Sequence, residues 1–213
     1  MVKLNEYCEQ DYKFYITCKK FDENLEYIFL KDNPHILIRN LKFGKKLFKL
    51  FPELEPMNQI FQDKKRNHSL FDHSVSVLKY CYKETNYFST LLAAFLHDYG
   101  KIHTFKDNFK RHDSIGVKLI GDFLKKYDIS NEHIVEIKMM MTYHTNASQY
   151  QREPNWTDEA VKRFIKRTHP LTLEVIKIGK ADKRSSHDYG PYLEPYKELE
   201  DRCIAMFKGG LEV

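Results

Sequence analysis

The chain has 213 residues, 42% hydrophobic and 31% charged, with a formal net charge of +5. That length supports one domain, or one with an appendage, around a real core. No apolar run reaches the roughly 18 residues of a membrane span, and the N-terminus MVKLNEYCEQ has no apolar signal core.

Eight glycines and seven prolines interrupt the chain rarely, and its pattern predicts an all-α protein. Residues 1–40 are expected to form an N-terminal extension packed on the core, with DYKFYITCKKF (11–21) as a short strand or an irregular start. A helical pattern runs from Leu41 to Leu50 and stops at Phe51-Pro52, because proline disfavours helix in the residue before it. Further helices are predicted at 69–85, 87–98, 113–127, 131–144, 157–168, 171–187 and 192–207. Start signals support several of them: Ser130 or Asn131, Thr157 followed by Asp158 and Glu159, and Pro191. The loop YGKIHTFKDNFKR (99–111) and the polar segment TNASQYQREPNW (145–156) are expected to flank a site. No linker divides residues 41–213, which read as one domain.

The four cysteines, Cys8, Cys18, Cys81 and Cys203, form no C-x-x-C pair. Without a secretion signal they read as reduced thiols of a cytoplasmic protein. The basic clusters KKRN (64–67), KRFIKR (162–167) and KADKR (180–184) together favour an anionic substrate. Each alone reads equally well as a solvated face.

The strongest signal is His97-Asp98 in LLAAFLHDYGK (91–101), where an apolar helical run ends on two adjacent ionisable groups. Burying both is costly unless something compensates them. A divalent cation does so, because imidazole nitrogen and carboxylate oxygen both ligate it. Four further residues repeat the oddity. His73 shares a helical face with Val77 and Cys81, His144 with Ile134, Ile137 and Met141, and Asp182 with Val175 and Ile178. His112 opens HDSIGVKLIGDFL and faces inward if Ile115 and Leu119 do. Singly, each is explained by a hydrogen-bonded core histidine or a local aspartate contact. Left unpaired together, each would carry a desolvation penalty of about 1–3 kcal/mol, which one shared metal site relieves.

The order His73, His97-Asp98, Asp182, with FDHSVSVLKY, LLAAFLHDYGK, FKRHDSIG and KADKRS, resembles the HD-domain metal-dependent phosphohydrolase superfamily over roughly residues 41–187. His112 and His144 match the extra histidines of members that hold two metals. FGKKLFKLFPELEPM, then Gln62 and FDHSV, looks most like the C-terminal HD region of bacterial tRNA CCA-adding nucleotidyltransferases. The chain has no Gly-Ser motif with a paired D-x-D, so a free-standing HD hydrolase is expected rather than CCA addition. Tyr99-Gly100-Lys101 stands where HD nucleotidases often carry an acidic residue, so the resemblance does not extend to a strict 5′-nucleotidase.

The resemblance implies an HD-domain helical bundle that cleaves phosphate esters of nucleotides by metal-activated hydroxide. Candidate bonds are those of a nucleoside monophosphate, a 2′,3′-cyclic phosphate or a related compound. One divalent ion would be held by His73, His97, Asp98 and Asp182. A second would be held by His112 and His144 with Asp98 bridging; with a single ion, those two histidines contact phosphate or act as general acid. Mn, Fe, Ni, Co or Zn suit such ligands better than Mg. Asp98 and Lys101 are the expected catalytic residues, and Lys101, Arg111, Asn146 and Arg184 the expected substrate contacts. Trp156 and Tyr150 could stack on a base or pack in the core. His68, His103 and His187 could shuttle protons. The expected partner is a nucleotide or RNA-end phosphate, with no membrane and a possible homo-oligomer. The rival functions are a di-iron oxygenase on the same ligand set and a non-catalytic RNA-binding helical module with a structural metal.

Overall fold

The computed structural model describes residues 25–63, 68–105, 108–152, 156–186 and 193–211. The possible strand at 11–21, the cluster 64–67, Pro191, His187, Cys8 and Cys18 lie outside the described residues. Eleven α-helices are described: α1 (Leu25–Leu30), α2 (Pro34–Phe43), α3 (Leu47–Leu50), α4 (Leu70–Cys81), α5 (Phe88–Leu96), α6 (Lys101–Thr104), α7 (His112–Lys126), α8 (Asn131–Arg152), α9 (Asp158–Thr168), α10 (Thr172–Ser186) and α11 (Glu194–Lys208). A 3-10 helix (Pro52–Asn58) and a small antiparallel ribbon, β1 (Phe61–Asp63) with β2 (His68–Ser69), complete an otherwise all-α bundle.

The centre of the bundle is α5. All nine of its residues are buried, as a helix apolar around its whole circumference must be. Helices α1, α4, α8 and α10 pack around it. Leu25, Ile28 and Phe29 of α1 belong to the same hydrophobic core as the rest of the chain. Helix α10 in turn packs on α4 and α8, and α11 closes over α8, α9 and α10. Cys81 and Cys203 are free thiols within this core. No described helix is long and apolar enough to cross a membrane.

Side-chain caps set three of the described helix starts. Ser69 Oγ accepts from the Asp72 N–H at 3.1 Å and donates to Asp72 Oδ2 at 2.6 Å, which caps α4. Ser130 and Thr157 cap α8 and α9 in the same way. The predicted helix 41–50 is instead broken: α2 ends at Phe43, and α3 occupies only Leu47–Leu50. Lys45 takes φ 57°, and the Lys46 N–H returns to the Leu41 carbonyl at 2.9 Å, so the chain turns after Gly44. The stop before Pro52 holds. A second difference lies at 145–152, a polar stretch that continues α8. Ala147 and Tyr150 fall three and six residues past His144 and are fully buried. Ala147 Cβ lies 3.0 Å from where a Cβ on Gly179 of α10 would stand. Tertiary packing, not local propensity, therefore extends the helix.

Candidate metal centre

His97 caps the C-terminal end of α5, and Asp98 follows in the turn. Carbonyl groups converge at a helix C-terminus, and their partial negative charge favours a cation there. The flanking helices bring their own groups to this end: α4 supplies His73, α7 His112, α8 His144 and α10 Asp182. His73 Nε2 lies 3.0 Å from Asp182 Oδ1 and 3.7 Å from Asp98 Oδ2. His97 Nε2 lies 3.1 Å from Asp98 Oδ2, and His112 Nε2 lies 3.0 Å from Asp98 Oδ1. The His97 and His144 rings stand 5.1 Å apart, and the His112 and His144 rings 6.2 Å. The two oxygens of Asp98 thus face different histidines.

Every one of these imidazoles has its Nδ1 engaged. Carbonyls three residues back accept from three of them: Ala94 from His97 at 2.9 Å, Phe109 from His112 at 2.9 Å, and Met141 from His144 at 2.7 Å. For His73 the partner is Ser185 Oγ at 3.0 Å. Ser185 spends its own proton on the Asp182 carbonyl at 2.7 Å, so it accepts from His73. With each Nδ1 donating, it is Nε2 that faces the carboxylates. The buried Nε2 atoms of His73 and His97 have no hydrogen-bond partner among the described residues, although each lies close to a carboxylate oxygen. Lone pairs on nitrogen and oxygen facing one another in a buried space call for a cation. These residues fit a divalent metal, with the Nδ1 contacts supplying the usual outer support of ligating histidines. Two overlapping groups place their ligand atoms within 4.8 Å of one another: His73, His97 and Asp182, and His97, Asp98 and His144.

The electrostatics carry the same demand. Burial pushes the Asp98 carboxyl up, but His97, Lys101 and His112 override it and hold it well below the usual carboxylate range. Asp182, opposed by burial and drawn down by His73 and His97, is lowered to about 2. Burial disfavours the charged forms of His97 and His112, yet Asp98 raises both above an ordinary histidine. His144, the one farthest from carboxylate compensation, is lowered to about 4 by burial and then by His97.

The centre opens on one side. Side chains of His73, His97 and Asp98 are at most 5% exposed, against 29% for Asp182, 17% for His112 and 16% for Lys101. Lys101 Nζ donates to Asp98 Oδ2 at 2.6 Å. Of the other expected substrate contacts, Arg184 lies over the Tyr80 ring at 4.8 Å, and Arg111 is an exposed residue with φ 60° at the head of α7. Asn146 lines a different cleft, between α8 and α9. His68 lies beside His73, with ring centres 6.5 Å apart, whereas His103 is exposed on α6. Tyr150 is fully buried and gives its hydroxyl to Glu198 at 2.7 Å, so it cannot stack on a base; it is a core residue.

Three residues inside the quoted motifs carry no ligand chemistry but shape the centre. Ser185 sits at the end of KADKRS and orients His73. Gly100 and Gly116 let α7 approach: a Cβ on Gly100 would stand 1.9 Å from the His112 carbonyl oxygen, and one on Gly116 would stand 3.0 Å from the Gly100 nitrogen. That contact seats His112 against Asp98. The inward face of α7 is His112, Gly116, Ile120 and Leu124, not Ile115 and Leu119, for Leu119 is 38% exposed.

The family model described as HD domain matches residues 70–186, from the first residue of α4 to the last of α10. Two curated relatives, both named Multifunctional CCA protein, come from Pseudomonas aeruginosa strains PAO1 and LESB58. They are 26% and 25% identical over 166 residues, covering 75% of this chain and 40% of each relative. The chain therefore spans about 40% of the length of the curated relatives it matches. With more than half of its length matched and a histidine–aspartate centre built on α4, α5 and α10, the chain belongs to the HD domain family.

Proposed function

We propose that the protein is a metal-dependent phosphohydrolase acting on phosphate esters of nucleotides. The observation that carries this reading is the set of three Nε2 atoms, of His73, His97 and His112, within 3.1 Å of a carboxylate oxygen of Asp98 or Asp182, two of them buried without a hydrogen-bond partner among the described residues. His73, His97, Asp98 and Asp182 would hold one divalent cation, and His112 and His144 a second, with Asp98 shared. When bound, such a cation polarises a phosphoryl oxygen and acidifies water.

The chain's own residues do the rest. Lone pairs converge at the inner end of a centre that opens beside Lys101, His112 and Asp182, so an incoming phosphate ester meets that side first. There the Lys101 ammonium, 2.6 Å from Asp98, adds positive charge where phosphoryl oxygens gather it in the transition state. This cation favours a phosphate ester over the oxygenase chemistry open to the same ligands. The CCA name of the relatives supports a nucleotide or RNA-end phosphate as the substrate class.

The test is hydrolysis in the presence of Mn, Ni, Co or Mg, read as release of inorganic phosphate from nucleoside mono- and diphosphates and as release of the ring-opened monophosphate from 2′,3′-cyclic phosphates. Release that depends on one of these metals is expected. Bound metal with no release from any substrate would overturn the reading.

A further inference from the structure

On the far side of α8 from the metal centre lies a cleft of about 210 Å³, lined by Asn146, Gln149, Trp156, Arg163, Phe164 and Arg167 among others. Asn146 is two residues past His144, which turns it about 200° away around the helix. The cleft is thus separate from the site described above.

Its lining has three properties together. The first is a fixed aromatic wall. Trp156 is held edge-on between the Tyr150 ring at 5.4 Å and the Phe164 ring at 6.0 Å, while its own surface stays half-open. The second is positive charge outside any close ion pair. Arg163 and Arg167 are one turn apart on α9 and exposed, and no described carboxylate forms an ion pair within 4 Å of either, although Glu159 feels Arg163 at longer range. The nearby acids on α9 are already engaged, Asp158 by Arg202 at 2.7 Å and Glu159 by Lys162 at 2.8 Å. The third is a pair of neutral amides, Asn146 and Gln149, each offering both donors and an acceptor. No carboxylate of the described residues lines the cleft.

An aromatic surface, two amides and two guanidinium groups one turn apart match a planar heterocycle that carries phosphate. Stacking is tolerant of base identity, amides read the ring edge, and arginine grips phosphate with paired donors. At about 210 Å³ the space is below the 300–1,000 Å³ of a pocket for a whole drug-sized ligand. It accommodates one base, with phosphate on the arginine rim.

We propose that this cleft is a second binding site, taking the base of a nucleotide against Trp156 and its phosphate between Arg163 and Arg167. The nucleotide is either free or one unit of a single-stranded RNA. The site does not depend on the metal centre.

Trp156 is the sole tryptophan of the chain, so its fluorescence reports the cleft directly. The full chain is titrated in EDTA with AMP, a five-nucleotide oligoadenylate and adenosine, which keeps the outcome independent of metal chemistry. Saturable quenching by AMP or the oligomer is expected, weakened about tenfold in Arg163→Gln and in Arg167→Gln. Lys166→Gln, which removes a charge from the same helix outside the lining, should change the affinity less than twofold. Equal binding of AMP and oligomer identifies the free nucleotide as ligand; much tighter oligomer binding identifies RNA. The proposal is overturned if neither quenches, if adenosine binds as tightly as AMP, or if Lys166→Gln weakens binding as much as the arginine variants.

Discussion

The two ends of α5 make an instructive pair, because each gathers a histidine, carboxylates and hydroxyl groups, yet they differ in depth of burial and in what is left over. At the N-terminal end, Ser89 Oγ donates to Glu136 Oε2 at 2.5 Å and meets His133 Nδ1 at 2.7 Å. Tyr87 donates to the other oxygen of Glu136 at 2.5 Å, and Thr90 donates to Glu174 at 2.8 Å. Donors and acceptors there cancel, and the cluster fastens α5 to α8 and α10. At the C-terminal end the donors are spent outward on Ala94, Phe109, Met141 and Ser185. Inward there remain nitrogen and oxygen lone pairs, with Lys101 the one cation among the described residues paired with them. Residue types are alike at the two ends; deeper burial and unmet electron pairs separate a candidate site from a fastening.

His35 sharpens the contrast from a third position. Its Nδ1 is also buried without a partner among the described residues, but its charged neighbours are Arg39, Lys79 and Lys83. An orphaned nitrogen surrounded by cations simply stays unprotonated, and burial together with those charges lowers its pKa to about 4. Carboxylates converging on the orphan are what make the metal centre different.

Each leg of this comparison can be broken. Asp98→Asn keeps the shape and removes the charge that both proposed ions share. Metal analysis should show both lost, and phosphate release should fall by at least about a thousandfold. A variant that kept its metal and its rate would dissolve the distinction between the two ends. Ser185→Ala frees His73 Nδ1 without touching a ligand, so metal affinity should drop about 10–100-fold, the usual effect of losing an outer hydrogen bond. Its melting temperature should hardly move; a large fall would make Ser185 part of the fold rather than of the centre.

Ser89→Ala tests the opposite end. It strips one partner each from His133 and Glu136, for a loss of about 1–3 kcal/mol, read as a melting temperature lower by about 2–4 °C per kcal/mol. Metal content should stay at the wild-type level, and any loss of metal would show that the two ends are coupled. The smallest effect is expected at His35, and its sign follows from the lowered pKa. Between pH 6.5 and about 4 the unfolded chain takes up a proton that the folded one refuses. Stability contributed by the neutral ring is therefore complete above 6.5 and declines as the pH falls toward 4. In His35→Gln that part of the decline should vanish from urea unfolding at pH 7 and pH 5; an unchanged slope would exclude His35 as its source.

Much of the helical frame was readable along the chain. Apolar stripes and capping residues located α4, α5, α7, α9, α10 and α11 to within a few residues of their observed ends. The turn at Gly44–Lys45, the 3-10 helix and the β1–β2 ribbon lack such a signal, since short polar segments do not reveal their backbone path. The last two turns of α8 were hidden for another reason. Their polar sequence is helical because Ala147 and Tyr150 are buried beneath α10 and α11, beside Gly179 and Tyr196.

The site divides along the same line. The side chains His73, His97, Asp98, His144 and Asp182 are conspicuous in sequence as ligand-type residues on apolar stripes, whereas the face of His112 is Gly116, Ile120 and Leu124 and not the expected Ile115 and Leu119. Periodicity along one helix says nothing about its neighbours, however. Tertiary structure alone decided that Asp98 divides its oxygens between His97 and His112, that Ser185 and three carbonyls turn every Nε2 inward, and that Gly100 against Gly116 admits α7. It also turned Asn146 away from His144 into the Trp156 cleft. Residue types set what chemistry is available, whereas distances of about 3 Å between different helices arise only from packing.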